Sequence, residues 1–113
     1  MKLQSNCVTA LLGALLSLTS VVHAADYTVE QKDKVFIYNG ARVETLKVKV
    51  GDVIQFKNLD PYFHNVFSLS DAKLFDLGSY PQGQSKSVTF DKAGKVEVEC
   101  AIHPQMKMIV EVK

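Results

Sequence analysis

Nine residues near the C-terminus, Cys100-Ala-Ile-His103-Pro104-Gln-Met106-Lys-Met108, carry a thiol, an imidazole and two thioethers between two stretches of alternation. Before them Val96, Val98 and Cys100 alternate with Glu97 and Glu99, and after them Val110 and Val112 flank Glu111. Apolar–polar alternation is the period of a half-buried β-strand. Cys100 therefore shares the inward parity of Val96 and Val98 and sits where its strand ends. Pro104 lacks a backbone donor and stops the strand from continuing. The chain must loop and re-enter a sheet, which requires a fold whose neighbouring strands present Cys, His and Met side chains at one end.

The remaining sequence supplies such strands. Tyr27 to Gln31 and Val35 to Tyr38 are β-rich pieces separated by Lys32-Asp33-Lys34, and Asn39-Gly40 is a turn signal. Leu46, Val48 and Val50 alternate with Lys47 and Lys49, and Ile54 and Phe56 with Gln55 and Lys57. Gly51-Asp52 and Asp60-Pro61 are turns, followed by the β-prone His64 to Phe67. Ser70 to Tyr80 is the least regular part and is read as a short strand or one helical turn around Leu74 to Leu77. Val88-Thr89-Phe90 forms a further strand before Ala93-Gly94. No segment has the pattern of an amphipathic helix of three turns. Seven or eight short strands with regularly spaced turns predict an all-β, antiparallel Greek-key sandwich or barrel.

The first 24 residues read as a signal peptide. Met1-Lys2 gives a positive start, Val8 to Val22 is almost wholly apolar or small, and Val22-His23-Ala24 has the small residues of a cleavage site. Residues 25–113 then form a single domain with a periplasmic destination, the start falling at Ala25 or Asp26. The apolar run is too short for a permanent membrane span. Removing the first 24 of 113 residues leaves 89, takes away Cys7, His23 and one of 13 basic residues (Lys2), and leaves 12 basic against 12 acidic. This near-neutral balance, without a basic stripe, argues against a nucleic-acid partner. Cys100 becomes the one thiol. An exported protein with one cysteine has no internal disulfide, and an exposed thiol there would be oxidised. Cys100 is thus expected to be buried, metal-bound, or both.

A second imidazole, His64, stands upstream in Pro61-Tyr62-Phe63-His64-Asn65-Val66, at the start of a different strand. One thiolate, two imidazoles and a weak axial thioether make up the donor set of a blue-copper electron-transfer site. Each residue alone has a plainer reading as core or surface. Cys-x2-His also suits zinc, but structural zinc sites close with four strong N, S or O donors, and here the fourth neighbour is a thioether. A nucleophilic Cys–His enzyme needs a base, an orienting group and a cleft, which a small sandwich with an inward-facing cysteine does not offer. The chain is read as a non-enzyme. Both Met106 and Met108 are candidates for the thioether.

With these motifs in hand, the sequence resembles the cupredoxins, the small blue-copper proteins that include plastocyanin, pseudoazurin and amicyanin. The resemblance covers nearly all of residues 25–113. The pattern Ser-x-Thr-Phe-x-x-Ala-Gly, five residues, then Cys-x-x-His-Pro-x-Met is met by Ser87, Thr89, Phe90, Ala93, Gly94, Cys100, His103, Pro104 and Met106, and His-Asn-Val by His64, Asn65 and Val66. It implies one copper ion bound by His64, Cys100, His103 and Met106. The C-terminal stretch is most similar to amicyanin, whose His-x2-Met spacing and proline after the histidine select Met106; the His-x4-Met spacing of plastocyanin and pseudoazurin would select Met108. The resemblance also implies that the Asn65 amide donates to the Cys100 thiolate and that the Asn65 side chain ties the two ligand loops together. Ile102 departs from the pattern, standing where many relatives have proline.

The function expected is a small monomeric exported electron carrier, with no membrane association in its mature form. His103 is the expected electron port. Pro61, Tyr62, Phe63, Pro104 and Met108 would form an apolar patch around it for a redox partner such as a cytochrome, dehydrogenase or oxidase. The alternatives are a periplasmic copper carrier or chaperone using the same donors, and a metal-free β-sandwich interaction domain.

Overall fold

The computed structural model describes residues 23–113; the expected signal peptide therefore lies outside the described residues except for His23 and Ala24. Ten strands follow in order: β1 (Asp26–Lys32), β2 (Val35–Tyr38), β3 (Ala41–Arg42), β4 (Thr45–Val48), β5 (Asp52–Asn58), β6 (His64–Ser70), β7 (Lys73–Tyr80), β8 (Ser85–Phe90), β9 (Gly94–Cys100) and β10 (Lys107–Val112). They make two five-stranded sheets, ordered β3-β2-β1-β5-β8 and β4-β10-β9-β6-β7. The expected all-β sandwich is what forms, without a helix among the described residues.

The strand count exceeds the seven or eight expected, for local reasons. The two-residue β3 is too short to show a period. The irregular Ser70 to Tyr80 segment contains β7, an eight-residue strand and no helical turn. It is an edge strand whose pairing with β6 shifts register between Asn65 and Phe67, so simple alternation does not run through it. Two pairs, β1 with β5 and β4 with β10, are parallel. They join strands brought together by crossovers between the sheets, which hairpin reasoning does not foresee.

The alternating segments point as expected. Leu46, Val48, Ile54, Phe56, Val88, Phe90, Val96, Val98, Val110 and Val112 are buried between the sheets. Full burial of such side chains contributes about 1.5–3 kcal/mol each. Phe56 stacks on Phe75 and meets Phe36 edge-on. Val50 breaks the expected alternation: β4 ends at Val48, and Val50 is half exposed in the following turn.

The topology that matters most is the pairing of β9 with both β10 and β6. Val66 lies opposite Cys100, which brings His64, two residues earlier on β6, to the end of the sandwich where β9 finishes.

Candidate metal centre

His64 is the first residue of β6 and Cys100 the last of β9, and both are buried. His103 follows in the loop, partly exposed. Its position is set by backbone bonds: the His103 amide donates to the Cys100 carbonyl at 3.3 Å, and the Met106 amide to the His103 carbonyl at 2.9 Å. Two successive four-residue turns that share His103 thus place Cys100, His103 and Met106 at their corners. The Cys100 amide closes the loop by donating to the Met106 carbonyl at 3.2 Å.

The side chains converge. His64 Nδ1 lies 3.5 Å from Cys100 Sγ, and His103 Nδ1 lies 3.6 Å from the same sulfur. Donor atoms of His64, Cys100 and His103 all fall within 4.8 Å of one another. The imidazole rings are 4.9 Å apart, and the Tyr62 ring sits 5.4 Å from His64 and 5.5 Å from His103. Lys34 Nζ lies 5.7 Å above the Tyr62 ring.

Met106 and Met108 are both buried, but at different levels. The register pairs Lys107 with Glu99 and Met108 with Val98. Met106 therefore faces Cys100 at the level of the three donors, whereas Met108 lies two residues further into the sandwich. Its burial removes Met108 from the expected apolar patch around His103. Ile102, next to His103 in the loop, is half exposed instead, and Tyr62, Phe63, Pro61 and Pro104 are exposed as expected.

The electrostatics favour neutral imidazole at His103. Burial, then the neighbouring His64 and Lys34, hold its pKa below the ordinary histidine value, outweighing Asp60. Metal binding needs that deprotonated form. His64 has a carboxylate behind it: its Nε2 lies 2.6 Å from Asp60 Oδ2, with both side chains buried. Burial would raise the Asp60 pKa, but hydrogen bonds from His64 and from the Asp33 and Lys34 amides bring it below the usual carboxylate range.

Two expectations for Asn65 are corrected. Both hydrogen-bond contacts of Cys100 Sγ are with imidazole Nδ1 atoms, and donation from the Asn65 amide is absent among the described residues. The tie between the ligand loops runs through the backbone, the Ala101 amide donating to the Asn65 carbonyl at 3.0 Å. The Asn65 side-chain oxygen is buried without a partner. Asp60 was legible only as part of a turn. The usable signal was chemical: a ligating histidine needs an acceptor for its other ring nitrogen, and Asp60 lies four residues upstream.

One buried thiol and two imidazole Nδ1 atoms facing it, with a buried thioether at the same level, fit a copper ion better than zinc, which finds no fourth strong donor in this cluster among the described residues.

Comparison with known proteins agrees. The family model for copper-binding proteins of the plastocyanin/azurin family matches residues 24–113. The chain is similar to the methylamine utilization protein MauL of Methylorubrum extorquens, at 37% identity over 68 residues. That match covers 59% of this chain and 60% of MauL, so the chain spans about 60% of the length of that relative. A reduced variant of amicyanin superposes with a TM-score of 0.68 at 25% identity, over 81% of this chain and 86% of that one. The Cu(I) form of another amicyanin variant gives the same figures. The Cu-containing nitrite reductase of Thermus scotoductus SA-01 shares the fold, with a TM-score of 0.68 at 24% identity over 80% of this chain and 23% of that one.

Proposed function

The chain belongs to the plastocyanin/azurin family of copper-binding proteins, the cupredoxins, and from that premise we propose that it is an exported carrier of single electrons. The observation that carries this reading is the convergence of Cys100 Sγ with the Nδ1 atoms of His64 and His103 at one end of the sandwich. His64, Cys100 and His103 would hold the copper, with Met106 as the weak fourth donor. The level of Met106 opposite Cys100 supports that choice over Met108.

Bound copper supplies a one-electron Cu(I)/Cu(II) couple, and a His2Cys set with a long thioether contact suits both states. The protein's part is to keep its donors in place. His64 and Cys100 sit on strands that belong to one sheet, and the Asn65–Ala101 bond locks those strands at the site. His103 reaches the surface and serves as the electron port. Tyr62, Phe63, Ile102 and Pro104 surround it with apolar surface suited to brief docking of a redox protein.

Export rests on the N-terminal pattern. The Ala25 amide donates to Asp52 Oδ1 at 2.9 Å, so cleavage after Ala24 would turn that nitrogen into an ammonium facing a carboxylate. N-terminal sequencing of the protein recovered from the periplasm is expected to start at Ala25.

Voltammetry of the copper-loaded protein, paired with incubation against a metal-free copper acceptor, tests the carrier role. A reversible one-electron wave with copper retained is the expected result. Copper released to the acceptor without a reversible wave would instead identify a metal-delivery protein.

A further inference from the structure

We infer that Asp60 is the positioning residue of this metal centre: its carboxylate keeps the His64 proton on Nε2, leaves Nδ1 as the free donor toward Cys100, and holds the reduction potential of the bound copper down. The inference rests on the copper reading given above and extends it to a residue outside the ligand set.

The geometry is that of a charge-assisted hydrogen bond. His64 Nε2 and Asp60 Oδ2 are 2.6 Å apart, and neither side chain is more than 3% exposed. An ionised carboxylate has no hydrogen to give, so the imidazole must donate from Nε2. The lone pair then lies on Nδ1, the atom that faces Cys100 Sγ. A partner of this kind fixes tautomer and ring orientation and raises the basicity of the ligating nitrogen.

Asp60 is itself held from three sides. Its Oδ1 accepts from the Asp33 amide at 2.7 Å and its Oδ2 from the Lys34 amide at 3.2 Å. Its own amide donates to Asn58 Oδ1 at 2.8 Å, and Asn58 Nδ2 bonds the Tyr62 and Tyr80 carbonyls. The Asp33–Lys34 pair is the two-residue turn between β1 and β2, closed by Lys32 opposite Val35. Both residues have positive φ, 54° and 61°, where glycine or asparagine would ordinarily be placed. Neighbouring amides in a turn can point to one place and form an anion-binding concavity, and here the Asp33 and Lys34 amides both meet the Asp60 carboxylate. A strained turn in the opposite sheet is thereby tied to a metal ligand.

A negative charge one imidazole away stabilises Cu(II) more than Cu(I), which lowers the potential. The test is voltammetry and visible spectroscopy of copper-loaded Asp60→Asn, Asp60→Ala and Asp60→Glu. Loss of such a partner typically weakens metal binding by about 10–100-fold. Falling on Cu(II), that loss raises the potential by about 60–120 mV, at about 59 mV per tenfold for one electron. The expected result is such a rise in the Asn and Ala variants, with the thiolate band retained and the Glu variant returning toward wild type. An unchanged potential in Asp60→Asn would leave Asp60 a brace of the turn and overturn the inference, while the electron-carrier reading stood. Should the variants fail to fold, nitrogen NMR of the metal-free wild type decides: the Nε2–H tautomer of His64 upholds the inference and the Nδ1–H tautomer overturns it. If the wild type shows no thiolate-to-copper band, the copper reading fails, and the part of the inference that concerns the potential falls with it.

Discussion

Cys100 and Met106 face one another across the mouth of the β9–β10 hairpin, joined by the Cys100 amide and the Met106 carbonyl at 3.2 Å. Met108, two residues on, pairs with Val98 inside the sandwich. The two thioethers should therefore separate functionally. Met106→Leu, which keeps an apolar side chain of similar volume, should shift the reduction potential and the visible spectrum while costing under about 1.5 kcal/mol of stability. Met108→Ala should destabilise the fold by about 2–5 kcal/mol and leave the spectrum of the folded fraction unchanged. Spectra and urea unfolding of both variants check the assignment.

Tyr80 ties the core behind the site. Its hydroxyl donates to Gln31 Oε1 at 2.9 Å and approaches the Phe56 carbonyl at 3.1 Å. Burial pushes its pKa up to about 12. Because the folded value lies above the unfolded one, this group's contribution to stability is complete below about pH 10 and is lost as the pH rises toward 12. Tyr80→Phe should flatten that alkaline loss. It should also cost about 1–3 kcal/mol at neutral pH by leaving the Gln31 oxygen without its donor. Denaturant unfolding of both proteins from pH 8 to 12 measures the difference.

Gly94 opens β9 at φ 144°, and a Cβ placed there would lie 2.8 Å from the Ala72 Cβ. Gly94→Ala should lower stability by about 1–3 kcal/mol through crowding and backbone strain. Adding Ala72→Gly should recover part of the loss, as expected for residues in direct contact. Urea midpoints of the single and double variants test this coupling.

Phe63 and Ile102 are more than half exposed beside the half-buried His103. If electrons pass through this face, Phe63→Lys and Ile102→Lys should slow electron self-exchange by about tenfold or more, since two like-charged faces must then meet. Their visible spectra should match wild type. Line broadening in mixtures of reduced and oxidised protein provides the rate.

Much of the architecture was legible because inward strands repeat with a period of two. Val96, Val98 and Cys100 point inward as their parity requires, and His64 arrives at the same end. The irregular parts were hidden for physical reasons. The β7 edge carries Leu74 outward opposite Leu69, both more than 70% exposed, so neither marks a core face. Val50 continues the pattern of β4 in sequence but lies past its end. Asp60 could not be connected to Asp33 and Lys34 by local reasoning, because β1–β2 and the His64 turn meet only in the folded sandwich.

The most direct test is titration of metal-free protein with Cu(II), followed by visible absorption and EPR. An intense thiolate-to-Cu(II) charge-transfer band that saturates at one copper per chain, and that vanishes in Cys100→Ser, is the predicted result. Absence of the band in the wild type, or its persistence in Cys100→Ser, would contradict the assignment of Cys100, His64 and His103 to a blue-copper centre.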